Sequence, residues 1–290
     1  MNNILTAKGL SERQLEEIIR LEEACSRYEP LQMKLNWDML RARPQECIND
    51  FICYEGDELV GFIGLYDIAQ QSKEIEITGM VHPQFRRKGI FTKLFKKAME
   101  RCSDINAERV LLISEHSTVS GIEFVKSVGA RYTCSEYRMK FQQASVPFVP
   151  TCGITLKKAD SGCFRELGSL DSICFNDIIE EGADFSPDSF NTTLVAYLNG
   201  SLVGKIGLLK EIGEGYIFGF AVKPELRGKG YGREILSLAL NNFLSEQITT
   251  VFLEVAVENE RALNLYKSCG FKVVTVYDYF ELKKSGILYE

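Results

Sequence analysis

Histidine is scarce in this chain, with two residues in 290, and the nine cysteines are scattered without a Cys-x-x-Cys pair. Structural zinc is usually held by such cysteine pairs together with histidine, so no metal site is expected. An odd number of dispersed cysteines is typical of reduced, mostly buried thiols in a reducing compartment.

Long apolar runs are also missing, and no apolar signal region follows the first residue. A membrane-spanning helix is therefore not expected, and the cytoplasm is the predicted location. The net charge of −6 argues against a broad nucleic-acid surface. An acidic chain suits a cationic partner, although most acidic proteins bind nothing basic in particular.

The most informative feature is an internal repeat. VKPELRGKGYG at 222–232 corresponds to VHPQFRRKGIF at 81–91, and ALNLYKSCG at 262–270 to GIEFVKSVG at 121–129, both at an offset of 141 (222 − 81). Upstream, YEGDELVGFIGL at 54–65 agrees with YLNGSLVGKIGL at 197–208 in seven of twelve positions, at an offset of 143. Three blocks in one order indicate duplication, and 290 residues suit two domains.

Hydrophobic periodicity and turn residues predict the same element order in each copy. In the first copy the predicted elements are an amphipathic helix from a Ser11 cap, a short helix near Trp37, a hairpin over 48–66, a strand over 74–81, a helix from Gly89, a strand over 109–114, a helix to Lys126 and closing strands over 132–141. In the second they are a strand over 154–156, a helix over 164–175, a hairpin over 193–209, a strand over 217–222, a helix over 232–244, a strand over 251–257, a helix over 260–269 and a final hairpin over 271–282. A linker is predicted between Gln142 and Gly153, and the pattern indicates α/β domains around mixed sheets.

The segment 218–236 combines a strand, a proline, a basic glycine-rich loop and a helix. A helix start presents backbone N–H groups and the positive end of the helix dipole, and glycines let the backbone approach an anion. Arg227, Lys229 and Arg233 add positive charge, so a pyrophosphate is the natural ligand. The alternative is that Gly230 and Gly232 only form a tight turn and that Arg227 is a solvated surface charge. The loop is also neither a Walker loop nor a convincing dinucleotide fingerprint.

Two motifs in order resemble the GNAT superfamily of acetyl-CoA-dependent N-acetyltransferases. They are Val222-x-Pro-x-x-Arg227-Gly-Lys-Gly230-x-Gly232, and Leu253-Glu-Val255 followed by Asn259-Glu-x-Ala262-x-x-x-Tyr266-x-x-x-Gly270-Phe271. The match is specific for the second half and looser for the first. The resemblance implies two tandem α/β domains, each a bent mixed sheet flanked by helices: a degenerate GNAT-like domain over 1–142 and a catalytic domain over 153–290.

The resemblance also implies an acetyl-CoA site. Backbone groups of Phe220, Ala221 and Val222 would pair with the pantetheine arm. The pyrophosphate would be held by amides of the loop, with Arg233 beside them; the loop residues are Arg227, Gly228, Lys229, Gly230, Tyr231 and Gly232.

Three further residues have candidate roles in the second copy. The resemblance assigns Tyr266 as the acid that protonates the departing CoA thiolate; the alternative is core packing, because Leu263 lies three residues away. The resemblance also implies that Asn259 bonds the pantetheine arm or the alpha-phosphate region of CoA. The alternative is that it caps the helix that follows it, and the two roles do not exclude each other. Glu254 is the candidate base, acting through water, with a solvated strand residue as the alternative.

The first copy lacks these residues. By the 141 offset, Gly232 corresponds to Phe91, Tyr266 to Val125 and Asn259 to Thr118. Phe91 puts a large side chain where backbone should approach phosphate, so the first copy is interpreted as a degenerate partner.

The predicted function is direct acetyl transfer from acetyl-CoA to a primary amine in the second copy. The alternatives are an acyl-CoA sensor without turnover and a transferase that uses another acyl-CoA. An acidic run could select a cationic amine, although a solvated helix end is the commoner explanation; its members are Cys174, Asp177, Glu180, Glu181 and Asp184. The acceptor and the oligomeric state stay open.

Overall fold

The computed structural model describes residues 3–67, 73–142, 152–175, 192–211 and 213–282. The chain divides into two compact units, one formed by Met1–Glu136 with Thr275–Glu290 and the other by Tyr137–Val274. Both are α/β. Within the described residues, no helix combines the length and apolarity needed to cross a bilayer.

The first copy of the repeat contains six strands and four α-helices in the part described. The strands are β1 (Asn3–Lys8), β2 (Ile48–Glu55), β3 (Glu58–Tyr66), β4 (Glu74–Val81), β5 (Arg109–Glu115) and β6 (Arg131–Phe141). The helices are α1 (Glu12–Tyr28), α2 (Trp37–Arg41), α3 (Ile90–Asp104) and α4 (Val119–Ser127).

The second copy contains the matching elements. Its strands are β7 (Thr155–Lys158), β8 (Thr193–Leu198), β9 (Ser201–Glu211), β10 (Glu214–Val222), β11 (Thr250–Ala256) and β12 (Phe271–Leu282). Its described helices are α5 (Phe164–Phe175), α6 (Tyr231–Ser245) and α7 (Glu260–Ser268).

Local sequence explains where the helices begin. Ser11 caps α1 through a capping box with Gln14, which satisfies backbone donors that the first turn leaves without partners. In both copies the long helix after the glycine-rich loop starts at a left-handed glycine, Gly89 before α3 and Gly230 before α6. Glycine adopts this conformation without the steric cost that a Cβ imposes.

The first unit is built on a mixed sheet. Strands β1 to β4 form an antiparallel meander, and β4 then pairs in parallel with β5 over Glu74–Ile77 and Arg109–Leu112. The last part of β12, Tyr277–Leu282, lies antiparallel to β5. One core cluster packs α3 against this sheet, and another packs α1 and α2 against it.

The second unit repeats the arrangement. Strands β7 to β10 are antiparallel, and β10 pairs in parallel with β11 over Glu214–Ile217 and Thr250–Leu253. A large core cluster lies between the sheet and helices α6 and α7, and a smaller one packs α5 against the sheet. The sheet thus has an α6/α7 face and an α5 face.

The final hairpin predicted over 271–282 is wrong, because Phe271–Leu282 is one continuous strand of twelve residues. Pairing of Tyr277–Leu282 with β5 keeps this segment extended where a turn was expected. The closing segment of the first copy is likewise one strand, β6. Strand β1 was not predicted, and most of the predicted linker lies outside the described residues.

Candidate acetyl-CoA site

The sheet of the second unit opens between β10 and β11. Their described parallel pairing ends at Ile217 and Leu253, while β10 continues to Val222 and β11 to Ala256. Beyond this point Ala221 and Val222 still pair with β9 on the other side of β10. The edge of β10 toward the opening is therefore placed to pair with an extended ligand arm.

The loop after β10 turns into α6 through two glycines with positive φ. Gly228 has φ +79 and Gly230 has φ +86, and a Cβ at Gly228 would meet no atom within 4 Å. The loop is therefore open on its outer side. Glu234 donates the first helical hydrogen bond back to Gly230, so the amides of Tyr231, Gly232 and Arg233 form the free start of the helix. Such a helix start favours an anion.

Gly232 lies where the loop, β10 and α7 meet. A Cβ built there would lie 3.3 Å from Leu265 Cδ2 and 3.7 Å from both Phe220 Cζ and Val222 Cγ2. A side chain larger than methyl would occupy this junction. Glycine at position 232 therefore leaves this space open.

The two arginines of the loop donate hydrogen bonds mainly to backbone carbonyl groups. Arg227 Nε donates to the Val222 carbonyl at 3.0 Å, and Arg227 Nη2 lies 3.2 Å from Cys174 Sγ. Arg233 Nη1 donates to the Ser268 carbonyl at 3.3 Å. These two guanidinium groups therefore hold the end of β10 and the end of α7, whereas Lys229 is exposed on the loop.

The first unit repeats the arginine arrangement. Arg86 Nε donates to the Val81 carbonyl at 3.2 Å, and Cys25 Sγ donates to the same carbonyl at 3.5 Å. Sequence reasoning placed Cys174 only in an acidic run and missed this contact. Arg86 and Arg227 occupy corresponding positions of the repeat, and this correspondence could have indicated a shared contact with the end of the preceding strand.

Tyr266 is buried on the α6/α7 face, with 7% of its surface exposed. Its ring lies 6.3 Å from that of Phe220 and 6.1 Å from that of Phe271. The structure thus brings Tyr266 and Phe220 together beside the opening. Burial raises the pKa of the Tyr266 phenol to about 12, so its proton is retained at neutral pH.

Asn259 is the N-cap of α7. Its side-chain oxygen accepts a hydrogen bond from the Ala262 amide at 3.1 Å. The side-chain oxygen of Asn259 therefore acts as the helix cap. Its side-chain nitrogen is the group that could contact a ligand.

Glu254 is the first residue of β11 after the parallel pairing ends. Val251, Leu253 and Val255 belong to the core beneath α6 and α7, so strand alternation turns Glu254 to the opposite, α5 face, where it is exposed. Tyr266 and Glu254 thus approach the opening from opposite faces of the sheet. The remaining acidic residues of the predicted run, Asp177, Glu180, Glu181 and Asp184, lie outside the described residues.

A buried carboxylate supports the start of α6. Glu234 accepts hydrogen bonds from the Cys152 amide at 2.6 Å and the Ile154 amide at 2.8 Å. Sequence reasoning did not identify this residue, because a glutamate in the first helical turn is ordinarily a solvated dipole partner.

Replacing Glu234 with alanine should destabilise the second unit by about 2 to 5 kcal/mol, because the buried Ile154 amide and the partly buried Cys152 amide would lose this acceptor. Glutamine should have a smaller effect, since it keeps one acceptor. Urea unfolding followed by circular dichroism measures both variants. Lys93→Ala, an exposed residue at the equivalent repeat position, is the control; equal destabilisation by that change would contradict this role for Glu234.

The first unit also opens between its parallel strands, after Ile77 and Leu112. A cavity of about 580 Å³ lies there, lined by residues of β4, β5, α3 and α4. Phe91 enters this region: its ring packs edge-on against Phe124 at 4.5 Å and lies 3.1 Å from a Cβ built on Gly79. Val125 is buried in the core, so the first unit keeps an opening without the glycine and tyrosine of the second.

Among the described residues, no group of three or more histidine, cysteine or acidic side chains is arranged to hold a metal ion. The fit to CoA rests instead on the space at Gly232, the open glycine loop and the parted strands.

Comparison with known proteins identifies the family of this chain. The sequence profile of the acetyltransferase (GNAT) family matches twice, over residues 14–130 and 161–271. A mycothiol acetyltransferase of Thermobispora bispora is 28% identical over 251 residues, covering 78% of this chain and 80% of its own length. One of Streptomyces avermitilis is 23% identical over 296 residues, covering 93% and 92%.

Other relatives match only part of the chain. The N-alpha-acetyltransferase 30 of Saccharomyces cerevisiae is 39% identical over 57 residues, which cover 20% of this chain and 32% of that protein.

Solved structures match the tandem fold over nearly its whole length. A GCN5-related N-acetyltransferase from Sphaerobacter thermophilus superimposes with a TM-score of 0.77 at 19% identity, covering 96% of this chain and 95% of that one. A tandem GNAT protein from the clavulanic acid biosynthesis pathway superimposes with a TM-score of 0.74 at 15% identity, covering 97% and 98%. This chain is an acyltransferase that belongs to the acetyltransferase (GNAT) family and carries two copies of the family's fold.

Proposed function

We propose that the second unit transfers an acetyl group directly from acetyl-CoA to a primary amine. The observation that carries the proposal is the junction of Gly232, Phe220 and Tyr266, where an open anion-binding loop, a parted sheet and a protonated phenol meet.

The residues around the junction suit the parts of acetyl-CoA. The amides of Tyr231, Gly232 and Arg233 offer hydrogen bonds and a helix dipole to the pyrophosphate. The free edge of β10 at Phe220–Val222 would pair with the pantetheine arm. Arg227 and Arg233 keep the loop and α7 in place through their carbonyl contacts, and Lys229 adds positive charge at the loop.

Bound acetyl-CoA would supply an acetyl thioester, whose transfer releases a thiolate. Tyr266 holds a proton on a phenol whose pKa burial raises to about 12, so it is protonated when a leaving group needs it. Glu254, exposed on the other face at the same opening, is placed to accept a proton from the amine through water. Acid and base would therefore act from opposite sides.

The coverage of the relatives supports a small-molecule acceptor. Two relatives that match across both copies are named mycothiol acetyltransferase. The yeast N-alpha-acetyltransferase matches only a fifth of the chain. We therefore propose that the acceptor is a small amine.

The first unit is proposed to be catalytically degenerate. Its Val125 carries no proton, and Phe91 occupies the region where Gly232 leaves space. The cavity beside Phe91 supports ligand binding without turnover as a second candidate role for this unit.

The proposal is tested by incubating the full chain with acetyl-CoA and a panel of small primary amines. Release of CoA thiol and a product heavier by one acetyl group are expected for at least one amine. Matched reactions with propionyl-CoA test the acyl preference. Binding of acetyl-CoA with no acetylated product from any amine would favour the sensor alternative.

The pH dependence should reflect the Tyr266 pKa of about 12. An acid must be protonated, so its activity is complete below its pKa and falls only as the pH approaches that value. We expect kcat/KM to rise with pH as the amine loses its proton, with no descending limb below about pH 11. Initial rates from pH 6 to 10.5 check this in the wild type and in Tyr266→Phe. A descending limb near pH 8 to 9 that is lost in Tyr266→Phe would contradict the raised pKa of this phenol.

A further inference from the structure

A buried ion pair occupies the α5 face of the second unit. Lys205 Nζ on β9 contacts Asp171 Oδ1 on α5, and their side chains are 12% and 8% exposed. The strand neighbours of Lys205, Val195 and Ala221, belong to the apolar cluster beneath α5. Lys205 Nζ also lies 5.7 Å from the centre of the Phe175 ring. The pair is thus set in an apolar surrounding.

The first unit shows that the fold accepts an uncharged residue at the position of Lys205. Lys205 pairs with Ala221 on β10, and Phe62 pairs with the equivalent residue, Met80, on β4. Phe62 is fully buried in the core. Hydrophobic replacements of buried ion pairs are often neutral or stabilising, so stability alone gives no reason for Lys205.

The second unit alone also has a bulge beside this residue. The pairing of β10 with β9 shifts by one residue between Phe218 and Ala221, whereas β3 and β4 pair without a shift. Gly219 in the bulge has φ +52, and a Cβ built on it would lie 3.9 Å from Lys205 Cε and Nζ. Phe218 is 45% exposed. The ammonium group therefore lies behind an accessible, irregular stretch of β10, where the sheet opens.

We propose that Lys205, positioned by Asp171, determines acceptor specificity by binding a carboxylate carried on the acceptor amine. Asp171 uses one of the three ammonium donors and leaves others for a ligand that enters at the bulge. A carboxylate matches this charge, and the apolar surrounding strengthens the contact. Glu254 stands on the same face for the amine end of such a molecule. This inference rests on the proposed acetyl transfer in the second unit.

The test compares amines in matched pairs that differ only in a carboxylate: glycine with methylamine, β-alanine with ethylamine, and 4-aminobutyrate with propylamine. The wild-type protein should prefer the carboxylate member of at least one pair. In Lys205→Met this preference, the ratio of kcat/KM values, should fall by about 10- to 100-fold, mainly through KM for the amine. Lys205→Arg should recover part of the preference, because it keeps the charge.

Two controls separate this role from a structural one. Lys210→Met removes a more exposed lysine of the same strand, paired with Glu246, and should keep the preference. Affinity for acetyl-CoA, measured by calorimetry, should be the same in Lys205→Met and wild type, since the loop is untouched. Calorimetric binding of each amine to the CoA-loaded protein is measured beside turnover.

The outcomes are distinct. A preference that survives in Lys205→Met, an equal loss for both members of every pair, or no binding of any carboxylate amine would overturn the inference. Turnover of amines without any carboxylate preference would overturn it while leaving the proposed acetyl transfer intact. Carboxylate binding that depends on Lys205 without acetylation would support the site and refute the proposed transfer.

Discussion

Replacing Gly232 with phenylalanine should abolish acetyl-CoA binding by the second unit, with a loss of affinity of at least about 100-fold. Even a Cβ at this position would lie 3.3 to 3.7 Å from Leu265, Phe220 and Val222, so an aromatic ring must extend into the ligand's space or displace these residues. Losing two charge-assisted hydrogen bonds at the helix start costs about 3 kcal/mol or more, which corresponds to this factor. Isothermal titration of acetyl-CoA into the full chain measures it.

Gly232→Ala is the matched control. Its methyl group makes a tight but adjustable contact with the end of the Leu265 side chain, so it should keep most of the affinity. One binding site in the wild type that disappears in Gly232→Phe would assign acetyl-CoA to the second unit. Two sites in the wild type, of which one remains in Gly232→Phe, would assign the remaining site to the cavity of the first unit beside Phe91. Unchanged binding with a single site would contradict the loop assignment.

Local signals in the sequence were enough for most elements. Strand β4 and helix α5 have the predicted bounds, because turn residues and hydrophobic periodicity mark their ends. The glycine-rich loop was recognisable for the same reason: positive φ at Gly228 and Gly230 is a requirement of backbone geometry that only a few residues meet.

Long-range pairing was not predictable in the same way. An alternating pattern over 271–282 is compatible with a hairpin or with one strand, and the choice is made by β5, more than 150 residues earlier in the chain. The continuous β12 therefore follows from tertiary structure. Nothing within the segment itself encodes its partner.

Side-chain partners within the site were the least predictable. Arg227 was expected beside phosphate, yet its guanidinium group bonds the Val222 carbonyl. A loop sequence specifies charge but does not fix which neighbouring carbonyl a long side chain reaches. Lys205 was within reach of sequence comparison, since it is one of the mismatches in an otherwise similar block, opposite Phe62. Its ion pair with Asp171 could not be predicted in this way, because Asp171 lies on a different element, helix α5.

Replacing Tyr266 with phenylalanine should lower kcat by about 10² to 10⁴-fold while leaving acetyl-CoA affinity intact. The ring contacts with Phe220 and Phe271 persist in the variant, so the packing that shapes the opening is kept and only the proton donor is lost. Steady-state rates at saturating acetyl-CoA, together with calorimetry, separate the two effects. A variant that turns over at full speed would remove Tyr266 from the mechanism.

Tyr216→Phe is the control that separates loss of the proton donor from a general effect of removing a phenol hydroxyl. Its hydroxyl donates to Glu214 at 2.7 Å, and it lies on β10 before the strands part. Both changes remove one phenol hydroxyl from the same unit, but only Tyr266 stands at the opening. A slow Tyr266→Phe beside a fast Tyr216→Phe would place the acid at Tyr266. Equal slowing would mean that both hydroxyls act through the stability of the sheet, because a phenol remote from the opening cannot protonate a thiolate.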